Sequence, residues 1–128
     1  MRTRPLEVEA LATGENGVRI IQDAVTGEHV LEVAEGGGMV RIVGNDITMT
    51  EQGYERHTIT ADGPETASAT SHWTVGLSRG AWSTRSETRT QLTLERDSFR
   101  IRATMQVWHG DELVAEKDWD ERIARTFV

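Results

Sequence analysis

Residues 73–119 read WTVGLSRGAWSTRSETRTQLTLERDSFRIRATMQVWHGDELVAEKDW, and three turn signals divide this stretch into four runs. Within each run one set of residues alternates with a more polar set, and the first run already begins at Thr66. This two-residue period is typical of strands with one face turned to an interior. The turn signals are Arg79-Gly80, residues 95–98 and Gly110-Asp111, and the last is typical of a two-residue hairpin. The stretch therefore predicts adjacent antiparallel strands in an up-and-down meander.

The length of these runs predicts a curved sheet. Strands of roughly nine to eleven residues would reach about 30 Å at about 3.3 Å per residue, and a sheet of such strands twists and curves. An apolar curved face needs a cover, so we expect either a barrel-like closure or a two-layer arrangement in which the N-terminal half lies across it. The predicted core residues are Trp73, Trp82, Phe99, Met105 and Leu113. The predicted ligand-binding or packing face consists of Trp73, Trp82, Phe99, Met105 and Trp108.

The N-terminal half contains shorter alternating runs with closely spaced turn signals, which predicts further strands instead of βαβ units. For residues 6–12 the pattern leaves a strand and a short helical turn open. We interpret residues 1–5 as a tail or linker and residues 6–128 as a single all-β domain. The predicted strands are 18–23 and 29–34, joined as a hairpin at Thr26-Gly27, and then 39–43, 47–50 and 54–60, with turns at Gly36-Gly37-Gly38, Gly44-Asn45-Asp46 and Asp62-Gly63-Pro64.

Composition narrows the classes of function. The net charge is −7, and residues 1–65 carry 12 acidic and 5 basic side chains while residues 66–128 carry 9 of each. A nucleic-acid-binding protein needs a basic surface, so this function is not expected. The sequence contains no apolar run long enough for a membrane helix and no signal-peptide pattern. The absence of cysteine excludes disulfides, and we expect a cytoplasmic location.

One motif suggests hydrolase chemistry. Residues 76–80 match the G-x-S-x-G pattern of a serine nucleophile, with Asp97 and His109 downstream of Ser78 in the order found in α/β-hydrolases. That motif requires a strained turn from a strand into a helix, which exposes the serine hydroxyl. Residues 81–94 instead alternate with period two and are rich in Thr and Ser. The pattern favours a hairpin turn and no catalytic residue.

Other polar residues also have an ordinary structural interpretation. The four histidines lie on different predicted strands without ligand-pair spacing, so we predict neither a metal site nor a cofactor. The spacing of a calcium loop is absent around Asp118 and Asp120. Arginines occupy the polar sides of two neighbouring predicted strands, where they predict a cross-strand charge ladder, with an anion-binding patch as the alternative. These arginines are Arg85, Arg89, Arg100 and Arg102.

The C-terminal half resembles one family of enzymes. The segments that carry the resemblance are 72–74, 77–82, 85–89, Phe99, 108–114 and 118–125. They are similar to the C-terminal end of bacterial CocE/NonD-type hydrolases, which are related to X-Pro dipeptidyl-peptidases. In that family the catalytic residues belong to an upstream α/β-hydrolase domain, and residues 1–128 do not include such a domain. The resemblance therefore implies a non-catalytic β module, and residues 76–80 correspond to a turn of that module.

Three functional hypotheses follow. The first is an accessory or assembly domain that packs against a hydrolase domain or against a second copy of itself as a homo-oligomer. The second is a lipocalin-like β barrel for a small apolar ligand, with the tryptophans near its mouth. The third is a hydrolase fragment with esterase activity through Ser78, Asp97 and His109.

Overall fold

In the computed structural model, which describes residues 3–126, the protein consists of eight strands and no helix. Thr3 to Glu7 precede the first strand; Met1 and Arg2 of the predicted tail, and Phe127 and Val128 of the predicted domain, lie outside the described residues. The strands are β1 (Val8–Ala12), β2 (Gly17–Gln22), β3 (His29–Ile42), β4 (Ile47–Thr60), β5 (Gly63–Arg79), β6 (Trp82–Leu94), β7 (Ser98–His109) and β8 (Glu112–Ala124).

All eight strands belong to one antiparallel sheet with the order β1-β3-β4-β5-β6-β7-β8. Strand β2 also pairs with β3, so β1 and β2 share one edge of that strand: β1 pairs with residues 39–42 and β2 with residues 29–34. The sheet is not closed into a barrel. Nothing in the described part of the chain is a helix that could cross a lipid bilayer.

The predicted all-β antiparallel meander is confirmed. Each of the strands from β3 to β7 pairs with the next one in the sequence, and the turns at Gly80 and Gly110 both connect such neighbours. The strands are longer than predicted: β5 alone has 17 residues and would span about 56 Å if it were straight. The open choice for residues 6–12 is resolved in favour of a strand, β1.

Two predicted breaks in the N-terminal half are wrong. Gly36-Gly37-Gly38 does not turn the chain but lies inside β3, where the pairing with β4 shifts between Glu35 and Gly38. Gly38 has a φ of 71°, and a Cβ there would meet Ala12 O at 2.3 Å, so this position of the bulge requires glycine. Likewise, the two strands predicted over residues 47–60 are the single strand β4.

The predicted core and its cover are also wrong. Strands β1 to β4 extend the sheet instead of lying across it, so no second layer forms within residues 3–126. Trp82 and Leu113 are 43% and 46% exposed, and Val30, at 3%, is the one buried hydrophobic residue among those described. Trp73, Phe99 and Met105 are half-buried. The period-two pattern identified a face correctly but could not show whether anything lies on it.

Candidate functional site

The register of the strands divides the side chains between two faces. Residues directly opposite each other on paired strands point to the same side of the sheet. We define the polar face by the row that runs from β4 to β8 through Tyr54, His72, Arg89, Thr104 and Asp118. The apolar face is the other side; its members on β5 to β8 include Trp73, Leu77, Leu92, Leu94, Phe99, Ile101, Met105, Val107, Trp119 and Ile123.

The predicted ligand-binding or packing residues fall on both faces. Trp73, Trp82, Phe99 and Met105 lie on the apolar face, in agreement with their shared strand period. Trp108 lies on the polar face, opposite Arg85, whose guanidinium carbon is 4.4 Å from the centre of the indole ring. This cation–π contact gives Trp108 a partner within the chain.

Trp73, on the apolar face, packs against the backbone of β4. It lies opposite Gly53 of β4, which is buried, and the indole ring occupies the space that a side chain at this position would need. A Cβ built on Gly53 would be 2.4 Å from Trp73 Cε2, far below ordinary contact distance. The absence of a side chain on β4 therefore allows the indole to lie flat against the sheet.

On the polar face, Arg100 of the predicted charge ladder forms an ion pair. Arg100 donates two hydrogen bonds to Asp120, at 3.0 Å from Nε to Oδ1 and 2.8 Å from Nη2 to Oδ2. These bonds lower the pKa of Asp120 and raise that of Arg100. Arg122 donates to Glu95 at 3.1 Å, and this bond, with a second from the Ser98 hydroxyl, lowers the pKa of Glu95. Arg100 thus forms a cross-strand ion pair, but with β8, and not between the two neighbouring strands for which the ladder was predicted.

A trough of about 1080 Å³ crosses the sheet perpendicular to the strands. Each strand from β2 to β8 contributes three consecutive residues to its lining, for example residues 70–72 of β5 and 102–104 of β7. The outer two residues of every triplet lie on the polar face. Trp73 and Met105, large side chains of the apolar face that adjoin these triplets, do not line it. The trough therefore lies on the polar face.

The charges along the trough are unevenly placed. The polar-face carboxylates that line the trough lie at its two ends: Glu15 and Glu32 at the β2 and β3 end, and Asp118 and Asp120 on β8. Glu32 faces Arg19 at 3.4 Å, and Glu15 accepts a hydrogen bond of 2.8 Å from the Tyr54 hydroxyl, which raises the pKa of Tyr54. The middle strands carry cationic and neutral polar groups on this face, which are Arg56, Thr70, His72, Arg89, Gln91, Arg102 and Thr104.

A second hollow, of about 450 Å³, lies on the apolar face near one end of the strands. Its walls include Leu31, Ile59, Leu92 and Leu94, and its lining is almost entirely apolar. Leu31 and Ile59 remain 36% and 40% exposed. The hollow can accept one bulky apolar group from another molecule.

The serine, aspartate and histidine of the motif are not brought together. Ser78 lies within β5, and the residues after the turn form β6 rather than a helix. Asp97 lies just before β7 and His109 at its end, so about 40 Å of extended strand separates them. Residues 3–126 also contain no group of three or more side chains placed to hold a metal ion.

Sequence reasoning missed the trough. Arg89 and Arg102 were recognised on polar strand faces, but Arg56 and Tyr54 belong to a strand that was predicted as two pieces. Their position beside His72 follows from the pairing of β4 with β5, which places Tyr54 directly opposite His72. No signal in the sequence alone fixes that register.

Comparisons with known proteins gave no match: no family model, no curated protein and no solved structure matches the chain. The relation to the CocE/NonD-type hydrolases therefore stays a prediction from the sequence.

Proposed function

We propose that this chain is a non-catalytic accessory domain that acts by binding another protein through its apolar face. One observation carries the proposal: a broad set of apolar side chains from β5 to β8 lies on a sheet that no second layer covers within residues 3–126. Val75 and Ile123 are 40% and 53% exposed on this face. Exposed apolar surface of this kind is typical of surfaces that bind another molecule, and a protein is the occupant we propose.

The resemblance of residues 72–125 to the C-terminal end of CocE/NonD-type hydrolases suggests the partner. We propose that an α/β-hydrolase domain covers the apolar face, with the hollow beside Leu92 receiving a bulky side chain from that domain. In the absence of this partner, a second copy of the chain would occupy the same face. The proposal also retains the cytoplasmic setting that the sequence suggests.

Neighbouring residues on β6 provide a matched test. Leu92 lines the hollow on the apolar face, whereas Thr93, one residue further, lies on the polar face. We expect the wild-type chain to self-associate with rising concentration in sedimentation velocity experiments, and Leu92→Glu to remain monomeric. Thr93→Glu, which adds the same charge, should behave as the wild type. Circular dichroism of each variant verifies that the sheet is intact.

The test has clear contrary outcomes. A wild-type chain that stays monomeric at several hundred micromolar would contradict the proposal, as would equal association of both variants. Adding a CocE/NonD-type hydrolase domain that lacks its own C-terminal region should replace self-association by a one-to-one complex that Leu92→Glu prevents.

A second candidate function is the binding of a small apolar ligand. The observation that favours it is the apolar lining of the hollow, not barrel closure, because the sheet is open. Laurate binding measured by calorimetry and lost in Leu92→Glu, together with a monomeric wild type, would favour this candidate over the first. The esterase hypothesis gains no support from the positions of Asp97 and His109.

A further inference from the structure

In the middle of the trough, two arginines lie directly opposite carboxylates of neighbouring strands without bonding to them: Glu32 is opposite Arg56 and Asp120 is opposite Arg102. Among the described residues, Arg56 and Arg102 have no carboxylate within 4.0 Å, and Arg89 has only Glu87 at 3.8 Å. By contrast, Arg100 on the same face donates two short bonds to Asp120. The guanidinium groups of Arg56, Arg89 and Arg102 therefore keep donors available for a ligand.

These arginines lie close enough to act on one molecule. They occupy β4, β6 and β7, and strands spaced by about 4.8 Å place β4 and β7 about 14 Å apart. Arg89 is directly opposite Thr104, so it is a diagonal neighbour of Arg102 at about 7–8 Å between backbones. Arginine side chains are long enough for the guanidinium groups of these residues to contact the same anionic group across these distances.

The floor between them offers further polar contacts. Thr70, Gln91 and Thr104 line the same section. His72, opposite both Tyr54 and Arg89, has an Nε2 atom that is shielded from solvent and has no hydrogen-bond partner in residues 3–126. Polar atoms enclosed in this way usually have a partner.

The overall charge limits the kind of anion. The lining contains four arginines and five carboxylates, and the chain carries −7. The carboxylates at the ends of the trough would repel a polyanion such as nucleic acid. A small anion can bind in the middle of the trough without contacting those carboxylates. A volume of about 1080 Å³ also suits a small organic molecule.

We infer that the trough on the polar face binds a small organic anion, a carboxylate or phosphate with an apolar body, through the guanidinium groups of Arg56, Arg89 and Arg102. The apolar body would lie along the alkyl portions of these side chains and the Tyr54 ring. This site is on the opposite side of the sheet from the proposed protein contact, and its occupancy is independent of that contact.

Matched probes test the inference. Calorimetric titration of the full chain with 1-naphthoate, 1-naphthyl phosphate and neutral 1-naphthamide compares three ligands with one aromatic body. We expect at least one of the anions to bind at least tenfold more tightly than the amide, and binding to weaken at high salt. The relative affinities of the two anions identify whether carboxylate or phosphate is preferred.

Variants locate the site. The double variant Arg89→Gln/Arg102→Gln should weaken anion binding by about tenfold or more, as expected for the loss of charge-assisted hydrogen bonds. Arg96→Gln removes the same charge from the exposed β6–β7 turn outside the trough and should leave binding unchanged. Equal binding of the amide and both anions, or a double variant that binds like the wild type while its circular dichroism is unchanged, would overturn the inference.

Discussion

The two faces of this single sheet differ in where their side chains find partners. On the polar face, Arg100 pairs with Asp120 across β7 and β8, and the buried Val30 also lies on this side. On the apolar face, Val75 and Ile123 remain exposed because no layer covers them in the described part of the chain. An apolar face therefore becomes a core only when another layer lies against it.

The largest effect is expected for a substitution at Gly53, where the Trp73 indole occupies the space that a side chain would need. Gly53→Val should destabilise the protein by about 3 kcal/mol, because its side chain would occupy the volume of the Trp73 indole. Urea unfolding followed by circular dichroism measures the change.

A double-mutant cycle with the smaller substitution Gly53→Ala tests whether the Trp73 indole is the reason that position 53 requires glycine. In the Trp73→Ala background, Gly53→Ala should be neutral or slightly stabilising, since the clash is gone and alanine orders the strand better than glycine. If Gly53→Ala costs the same with and without the indole, Trp73 is not the reason for the glycine.

Effects of intermediate size are expected for truncations that compare a buried residue of the polar face with an exposed residue of the apolar face. Val30→Ala should cost about 2 kcal/mol, because two buried carbon atoms are lost from the polar face. Ile123→Ala removes more carbon but from a side chain that is 53% exposed, so it should cost well under about 1 kcal/mol in a monomeric sample. A larger cost for Ile123 would indicate that the apolar face is covered in solution.

The smallest effect concerns the charge ladder. Arg100 lowers the pKa of Asp120, so the bond contributes stability above the pKa of the aspartate in the unfolded chain and loses it as pH falls through the folded-state value. Arg100→Gln should therefore lower the urea midpoint slightly at pH 7, and the difference from wild type should vanish in acid.

The control for the ladder is Arg96→Gln, which changes the same charge in the exposed turn. It should track the wild type at every pH. A difference between wild type and Arg100→Gln that persists at pH 2 would mean that the arginine acts through packing of its side chain and not through the ion pair.

Much of the fold was predictable because strand alternation and turn chemistry are local. The meander of β5 to β8 and its hairpin at Gly110-Asp111 follow directly from residue order. The prediction of a turn at Gly36-Gly37-Gly38 was wrong because glycine is common in both turns and β-bulges. Glycine is needed here because the β1–β2 loop passes close to the β3 backbone. That approach is a contact between distant residues, so local pattern does not contain it.

The candidate sites were predictable only in part. The alternation placed Arg89 and Arg102 on polar strand faces, and it placed Trp73 and Met105 together on the other side. It could not add Arg56 and Tyr54 to the trough, because their neighbours depend on the register between β4 and β5.

The order of the amino acids was enough to predict an antiparallel all-β chain with one apolar and one polar face, because side-chain alternation is a property of the extended backbone. That the N-terminal strands extend the sheet and leave the apolar face open became evident from the tertiary structure alone. Strand pairing, which selects partners far apart in sequence, also created the trough. Strand pairing depends on backbone hydrogen bonds, which nearly every residue type can make. A local sequence pattern therefore does not specify which strands pair or in which register.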